Sequence, residues 1–156
     1  MNIELNNIYG DFPNEPCVFA ACDSKYFVDH ASPFVNSAHK VGKPVHVHVV
    51  NPTNEVFDLV KRYKEKISTP LSFTYNDMDI PEDPDQMKCI YASVRFFILP
   101  HLLEKIEKIM VLDIDCMVMR DFEFPKTPCG LFVRKPVTHL TDWIKEGTKI
   151  AAGIVY

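Results

Sequence analysis

The chain has 156 residues, a length that suits one domain with a sizeable hydrophobic core. Hydrophobic residues make up 47% of the sequence and charged residues 24%, as in ordinary folded proteins. The net charge is −4 and Lys and Arg form no clustered stripe, which argues against a nucleic-acid partner.

The start of the chain, MNIELNNIYGDFPNE, lacks the basic residues and apolar core of a secretion signal. Apolar runs elsewhere are interrupted by charge and are too short to cross a bilayer. The five cysteines form no CxxC pair, and an odd count without a signal indicates free thiols in a reducing compartment. We therefore expect a cytoplasmic protein without a membrane span, whose thiols act as small buried hydrophobic groups: Cys17, Cys22, Cys89, Cys116 and Cys129.

The first half of the chain alternates apolar runs with helical patterns. A strand is predicted over 16–22, followed by a helix with Asp23 or Ser24 as its N-cap. Gly42 ends this helix, and a second strand occupies 43–52. A helix over 52–66 and a third strand over 70–75 complete this half.

The second half begins with an acidic, proline-containing loop over 76–86. A helix is predicted over 87–108, in which Pro100 introduces a kink or begins a second helix. The fourth strand is IMVLDID, 109–115. A loop, a fifth strand over 130–136, a short helix over 138–147 and a sixth strand over 148–156 follow.

This alternation predicts an α/β fold, a three-layer α/β/α sandwich whose mostly parallel sheet is covered by helices on both faces. Residues 1–156 form one domain. Because the chain stops inside a predicted strand, we expect a C-terminally truncated fragment of a longer protein. Ligands of such sheets bind beyond the carboxyl ends of the strands, where Asp23, Asn51, Asp113 and Asp115 lie.

The two aspartates of IMVLDID are the most informative residues. In an extended strand, Asp113 and Asp115 point to the same side and can reach one ion. Their hard oxygens suit Mg²⁺ or Mn²⁺, with water and substrate phosphates completing the shell. The alternative is that both carboxylates only cap the strand end. The cost of burying unpaired charge in this apolar context favours metal binding.

A different chemistry is possible for the same pair. Phosphatases of the haloacid dehalogenase type also place D-x-D after an apolar strand, where Asp113 would attack phosphorus and Asp115 would act as the acid. That pattern requires Thr or Val at the position of Met117, and it usually lies on the first strand. Elsewhere, His46 and His48 have a spacing compatible with a metal but no third ligand nearby, so a strand with one polar side is the simpler interpretation.

With these residues assembled, the chain resembles GT-A fold glycosyltransferases, most of all glycosyltransferase family 8, the glycogenin and galactosyltransferase-like group. Three segments carry the resemblance, and they occur in the family's order: VFAACDSKYF, SVRFFILPHLLEKIEKIMVLDIDCMVMRDF and IAAGIVY. The resemblance implies a Rossmann-like sheet and a metal-dependent transfer of sugar from a nucleoside-diphosphate sugar, UDP-sugar in this group, with retention of configuration. The acceptor would be a sugar, a lipid or a protein.

The resemblance also implies roles for particular residues. Asp113 and Asp115 would hold Mn²⁺ or Mg²⁺ against the diphosphate, Tyr26 would stack on the base, and Arg95 would contact the phosphates or the sugar. The remaining implied donor contacts are Ala21, Cys22, Asp23 and Ile114 on the nucleotide side and Ala152 and Gly153 on the sugar side.

Simpler interpretations exist for two of these residues. Tyr26 could be a half-buried helix residue without a ligand. Arg95 could extend its charged end to solvent, or pair with an acid on its helix face.

Two departures from the family pattern bear on function. Ala151 stands where the family has an Asn that often contacts the sugar. The family's third metal ligand, a His, comes from a segment C-terminal to the last predicted strand. A nucleotide-sugar-binding protein without catalytic activity is therefore the alternative to a transferase.

Overall fold

The computed structural model describes residues 7–124, 126, 130–133 and 150–155. Its helices are α1 Ser24–Lys40, α2 Asn54–Lys66 and α3 Pro84–Leu103. Its strands are β1 Tyr9–Gly10, β2 Cys17–Asp23, β3 Val45–Val50, β4 Leu71–Asn76, β5 Ile109–Leu112, β6 Leu131–Val133 and β7 Ile150–Val155.

The strands form one sheet in the order β1-β4-β3-β2-β5-β7-β6. The four adjacent strands β4, β3, β2 and β5 are parallel. β2, β3 and β4 lie side by side in chain order. α3 then connects β4 to β5, which pairs with the other edge of β2. The predicted α/β class is confirmed, and the parallel centre of the sheet is compatible with a Rossmann-like fold.

The central strand β2 is buried on both faces because its side chains alternate in direction. Val18, Ala20 and Cys22 belong to a cluster that includes Phe27 and Phe34 of α1. The intervening residues belong to a second cluster with α3, whose members include Cys17, Phe19, Ala21, Ile90, Val94, Ile98 and Leu102. These two apolar clusters hold α1 and α3 against the sheet and fix where the ends of β2 and β5 lie.

The long helix α3 differs from the prediction at both ends. It begins at Pro84 because the Asp83 carboxylate accepts hydrogen bonds from the backbone N–H groups of Asp85 and Gln86, an N-cap with proline at the first helical position. It ends at Leu103 and runs through Pro100 as one helix, so a second helix starting at Pro100 was a wrong prediction.

The outer strands also correct the sequence interpretation. β7 is antiparallel to both β5 and β6, and β1, which was not predicted, is antiparallel to β4. Alternation of apolar residues predicts a strand but carries no information on its direction. Of the predicted fifth strand, 134–136 lies outside the described residues, as does the whole predicted helix 138–147.

His46 and His48 are fully buried, so the predicted polar side of β3 is not a solvated surface. Hydrogen bonds of 2.8 and 2.9 Å join the two ring nitrogens of His46 to the hydroxyls of Ser72 and Thr74. His48 bonds Thr74 at 3.0 Å and Asn76 at 2.9 Å. Side chains of the neighbouring strand therefore satisfy both imidazoles, which argues for a structural role rather than a metal site.

Burial lowers the pKa of His46 from 6.5 to about 3 and that of His48 to about 4. Below pH 6.5 the unfolded chain binds protons that the folded chain does not. The stability contributed by the neutral imidazoles is therefore complete above pH 6.5 and is lost as the pH falls towards 4. Each histidine lowers the free energy of unfolding by at most about 1.4 kcal/mol per pH unit in this window.

Urea denaturation at pH 7.5, 6 and 5 measures this dependence. In His48→Gln we expect the slope of unfolding free energy against pH to be roughly halved, because one of the two titrating groups is gone. The matched change of the exposed His101 to Gln leaves the slope unchanged. A wild-type stability that is flat from pH 7.5 to 5 would contradict the neutral, buried state of both imidazoles.

Candidate functional site

A cleft of about 660 Å³ opens beyond the carboxyl ends of β2 and β5, where the crossover direction of the parallel strands changes. This is the position at which open α/β sheets bind ligands. All eight residues predicted for metal and nucleotide binding line the cleft: Ala21, Cys22, Asp23, Tyr26, Arg95, Asp113, Ile114 and Asp115. The fold thus brings together residues from three separate sequence segments, while their individual roles stay predictions.

On the β2 side, Asp23 is the N-cap of α1, one of the two residues that the sequence offered for this position. One oxygen of its carboxylate accepts a hydrogen bond of 2.7 Å from the backbone N–H of Tyr26. A carboxylate has further acceptor positions, so Asp23 can still accept from a ligand in the cleft. Tyr26 lies in the first turn of α1 and is 49% exposed, and its ring centroid is 4.9 Å from that of His30. About half of the Tyr26 surface is thus open, and both the predicted stacking role and the alternative of a half-buried helix residue stay predictions.

Asn51 closes the wall of the cleft behind α1. Its backbone has a φ of +50°, in the left-handed region that Asn tolerates better than most residues. Its side-chain amide donates to the Met78 carbonyl at 2.9 Å and accepts from the Met78 N–H at 2.8 Å. Ser24 Oγ donates to the Asn51 carbonyl. Asn51 therefore fixes the loop after β4 against the start of α1.

On the β5 side, the D-x-D sequence lies in a turn and not in a strand. β5 ends at Leu112, and the Cys116 N–H donates to the Asp113 carbonyl at 3.0 Å. The prediction of an extended 109–115 was therefore wrong at its end. Ile114 is only 3% exposed and packs in the cluster with α1, whereas Asp113 is half-buried and Asp115 exposed. The buried isoleucine anchors the turn between its two carboxylates.

Three ligand atoms converge at this turn. Carboxylate oxygens of Asp113 and Asp115 and the Sγ of Cys116 lie within 4.8 Å of one another. The two hard oxygens fit Mn²⁺ or Mg²⁺, whereas sulfur is a soft donor that neither ion prefers. Burial raises the pKa of the Cys116 thiol above its ordinary value. The sequence interpretation missed Cys116 because it treated every cysteine as a buried apolar group.

Arg95 reaches the same turn from α3. Its Nη1 donates to Asp113 Oδ1 in an ion pair, so its partner is not an acid of its own helix. The Arg95 side chain is 11% exposed. Its Nε is buried, and among the residues that the structure describes no hydrogen-bond partner reaches it. A largely buried guanidinium with an unused donor is costly, and an anion in the cleft would relieve that cost.

The chain after the turn is tied down on the α1 side. The Val118 N–H donates to Ser37 Oγ at 3.0 Å, and both residues are buried. Lys43 forms an ion pair of 2.6 Å with Asp121 and lies 4.8 Å from the centre of the Phe122 ring. The D-x-D turn is thus held by its own buried residue, Ile114, and by the segment that follows it.

The first half of α3 supplies cleft residues that the sequence did not single out. Met87, Lys88, Tyr91 and Ala92 line the cleft together with Arg95. Helical spacing was the available signal, because Tyr91 and Ala92 precede Arg95 by one turn. Burial, and secondarily the charge of Asp23, raise the pKa of Tyr91.

Ala152 and Gly153 belong to β7. Leu112 pairs with Ile154 in antiparallel register, so the residues before Ile154 continue past the carboxyl end of β5, where Asp113 lies. This direction is compatible with the predicted donor-sugar contact, which stays a prediction.

Four of the five cysteines are described, and all four are free. Cys17 and Cys22 are buried, as predicted, and Cys116 is half-buried at the D-x-D turn. Cys89 on α3 is exposed, so its prediction as a buried hydrophobic group was wrong. Cys129 lies outside the described residues. In the described part of the chain, no helix has the length and apolar character needed to cross a membrane.

Comparison with known proteins finds no relative of this chain: no family model, no curated protein and no solved structure matches it. The functional interpretation therefore depends on the geometry and chemistry of the cleft.

The buried Ile114 should decide the stability of the D-x-D turn. Removing most of its side chain in Ile114→Ala leaves a cavity beneath the two aspartates, and we expect a loss of about 2–5 kcal/mol in the free energy of unfolding. Met119 lies in the same segment but is 80% exposed, so Met119→Ala should change stability by less than about 0.5 kcal/mol. Urea denaturation of both variants checks the difference, and equal effects would contradict the anchoring role.

Proposed function

We propose that the cleft binds a nucleoside diphosphate group together with a divalent cation. The observation that carries this proposal is the convergence of Asp113, Asp115 and the buried Arg95 at the carboxyl ends of β2 and β5. Paired carboxylates suit a cation that also takes phosphate oxygens as ligands. A guanidinium with free donors suits the phosphate oxygens themselves.

Within that class, we propose a metal-dependent glycosyltransferase with the three-layer GT-A architecture, similar to glycosyltransferase family 8. It would transfer a sugar from a UDP-sugar to a sugar, lipid or protein acceptor with retention of configuration. The spatial order of the parallel strands, with β5 returning beside β2, supports the proposal. The cleft also brings together residues 21–26 and the D-x-D turn, which belong to two of the segments that carry the resemblance.

The nucleoside half of the donor fits the wall formed by β2 and α1. Tyr26 offers an exposed ring for stacking on a base, and the Asp23 carboxylate can accept from a base N–H or a ribose hydroxyl. Ala21 and Cys22 are buried, and they form an apolar floor of the cleft beside Tyr26 and Asp23.

The diphosphate half fits the wall formed by α3 and the D-x-D turn. Asp113 and Asp115 would hold Mn²⁺ or Mg²⁺, with Cys116 within reach of the same ion. When bound, the cation supplies Lewis-acid stabilisation of the negative charge that develops on the diphosphate leaving group. Arg95 adds a positive charge on the same side, from a helix that Val94 and Ile98 anchor in the core.

Two alternatives from the sequence are weaker on this geometry. A phosphatase with Asp113 as nucleophile requires a carboxylate free to attack, whereas Asp113 is paired with Arg95 and follows the fourth parallel strand. A nucleotide-sugar-binding protein without transferase activity uses the same cleft, and only turnover separates it from the enzyme. The cytoplasmic location predicted from the cysteines stays a prediction.

Release of UDP from UDP-glucose and UDP-galactose in the presence of Mn²⁺ tests the transferase. We expect slow metal-dependent release even without an acceptor, and a loss of about a hundredfold in Asp113→Asn and in Asp115→Asn, since each removes a charge that holds the cation. Glu123→Gln, a matched change at an exposed carboxylate in the same segment, should retain the rate.

Three results decide between the alternatives. UDP binding without release from any UDP-sugar would favour the non-catalytic protein. Phosphate release from a simple phosphomonoester that disappears in Asp113→Asn would favour the phosphatase. Equal rates in the wild type, Asp113→Asn and Glu123→Gln would show that the measured release does not come from this cleft.

The stacking role of Tyr26 has its own test. Loss of the ring in Tyr26→Ala should weaken UDP binding by about 1–2 kcal/mol, whereas Tyr26→Phe keeps the aromatic face and should bind nearly as the wild type does. Tyr9 is similarly exposed on β1, outside the cleft, so Tyr9→Ala serves as the control. Isothermal titration calorimetry with UDP measures all four proteins, and equal affinities of Tyr26→Ala and Tyr9→Ala would contradict stacking.

A further inference from the structure

The cleft holds three cations among the described residues, and they differ sharply in environment. The side chains of Lys25 and Lys88 are 84% and 77% exposed and pair with Asp29 and Asp85 at the helix surface. Arg95 is 11% exposed and pairs with Asp113, which is itself a member of the candidate metal-ligand cluster. The buried cation therefore occupies the same carboxylate that a divalent ion would use.

A guanidinium and a divalent cation cannot share Asp113 without repulsion. Both are positive, the site is partly shielded from water, and the charge interaction is stronger there than at a surface. Bound to Asp113, Arg95 thus opposes entry of a cation. Of its five N–H donors, one is used by Asp113, and the buried Nε has no partner among the described residues. A diphosphate in the cleft would offer several acceptors to those donors.

We propose that Arg95 acts as an exchangeable counter-ion, which neutralises Asp113 until a diphosphate draws the guanidinium away and opens the carboxylate to the cation. Nucleotide and cation then bind with positive coupling, beyond the coupling that direct contact between them supplies. The proposal rests on the proposed function for the identity of the diphosphate. The competition between Arg95 and a cation for Asp113 rests only on the ion pair. Arg95 is a binding and positioning residue in this account.

The test measures Mn²⁺ and UDP separately on the whole chain. Binding of Mn²⁺ alone is followed by the electron paramagnetic resonance signal of the free ion, and binding of UDP alone by calorimetry in the presence of a chelator. In Arg95→Gln we expect Mn²⁺ alone to bind about tenfold more tightly than in the wild type, and UDP alone about tenfold more weakly. Opposite shifts for the two ligands distinguish an exchangeable counter-ion from general damage to the cleft.

Two further variants control the measurement. Arg62→Gln removes the same charge from an exposed position on α2 and should leave both affinities unchanged. Thermal unfolding shows whether Arg95→Gln is folded. If it is not, Arg95→Met keeps the unbranched stem without the charge and gives the same test. An affinity for Mn²⁺ alone that is unchanged or weaker in the folded Arg95 variant overturns the proposal.

The outcomes also separate this proposal from the proposed function. The wild type could bind UDP in a Mn²⁺-dependent manner while substitution of Arg95 leaves the Mn²⁺ affinity unchanged. That result overturns the counter-ion proposal and supports the nucleotide site. Wild-type protein that binds no UDP under any condition overturns the nucleotide site. In that case the Mn²⁺ measurement alone still decides whether Arg95 competes for Asp113.

Discussion

The ion pair between Arg95 and Asp113 is the interaction on which the candidate site depends, because it joins the two segments that form one wall of the cleft. Arg95 comes from α3, which packs on one face of the sheet, and Asp113 from the turn that follows β5. α3 and β5 also pack together in one apolar cluster, which includes Val94, Ile98, Ile109 and Val111. The pair therefore adds a charged contact between two segments whose positions the core already fixes.

The rest of the site is held by contacts with few degrees of freedom. Ile114 is buried beneath the turn, and the Ser37 hydroxyl fixes the chain three residues after the second aspartate. On the opposite wall, the Asp23 carboxylate caps α1, and Asn51 fixes the neighbouring loop. A site built in this way loses little conformational entropy when a ligand binds, which favours affinity for a compact charged group.

Much of this arrangement could be predicted from the sequence, for identifiable reasons. The order from β2 to β4 follows from short apolar runs that alternate with helical patterns, and Asp23 is a recognisable N-cap. Because the carboxyl ends of parallel strands meet at one edge, that order was enough to place Asp23 and Asp113 in the same cleft.

The remaining features depend on partners that are distant in sequence. The segment IMVLDID does not reveal that the strand stops at Leu112. The turn is closed by a hydrogen bond from the N–H of Cys116, a residue that follows this segment. The burial of His46 depends on Ser72 and Thr74 of the neighbouring strand, which periodicity within β3 cannot reveal. The antiparallel direction of β7 and the pairing of Arg95 with Asp113 are likewise decided by tertiary contacts.

The proposed function requires the cleft to bind a diphosphate and a divalent cation together. The decisive measurement is calorimetric titration of the wild-type chain with UDP, once with Mn²⁺ and once with a chelator. We expect binding that is at least about tenfold tighter with Mn²⁺, the range typical of coupling between two ligand sites. Equal affinity in the two titrations, or no binding in either, would contradict it.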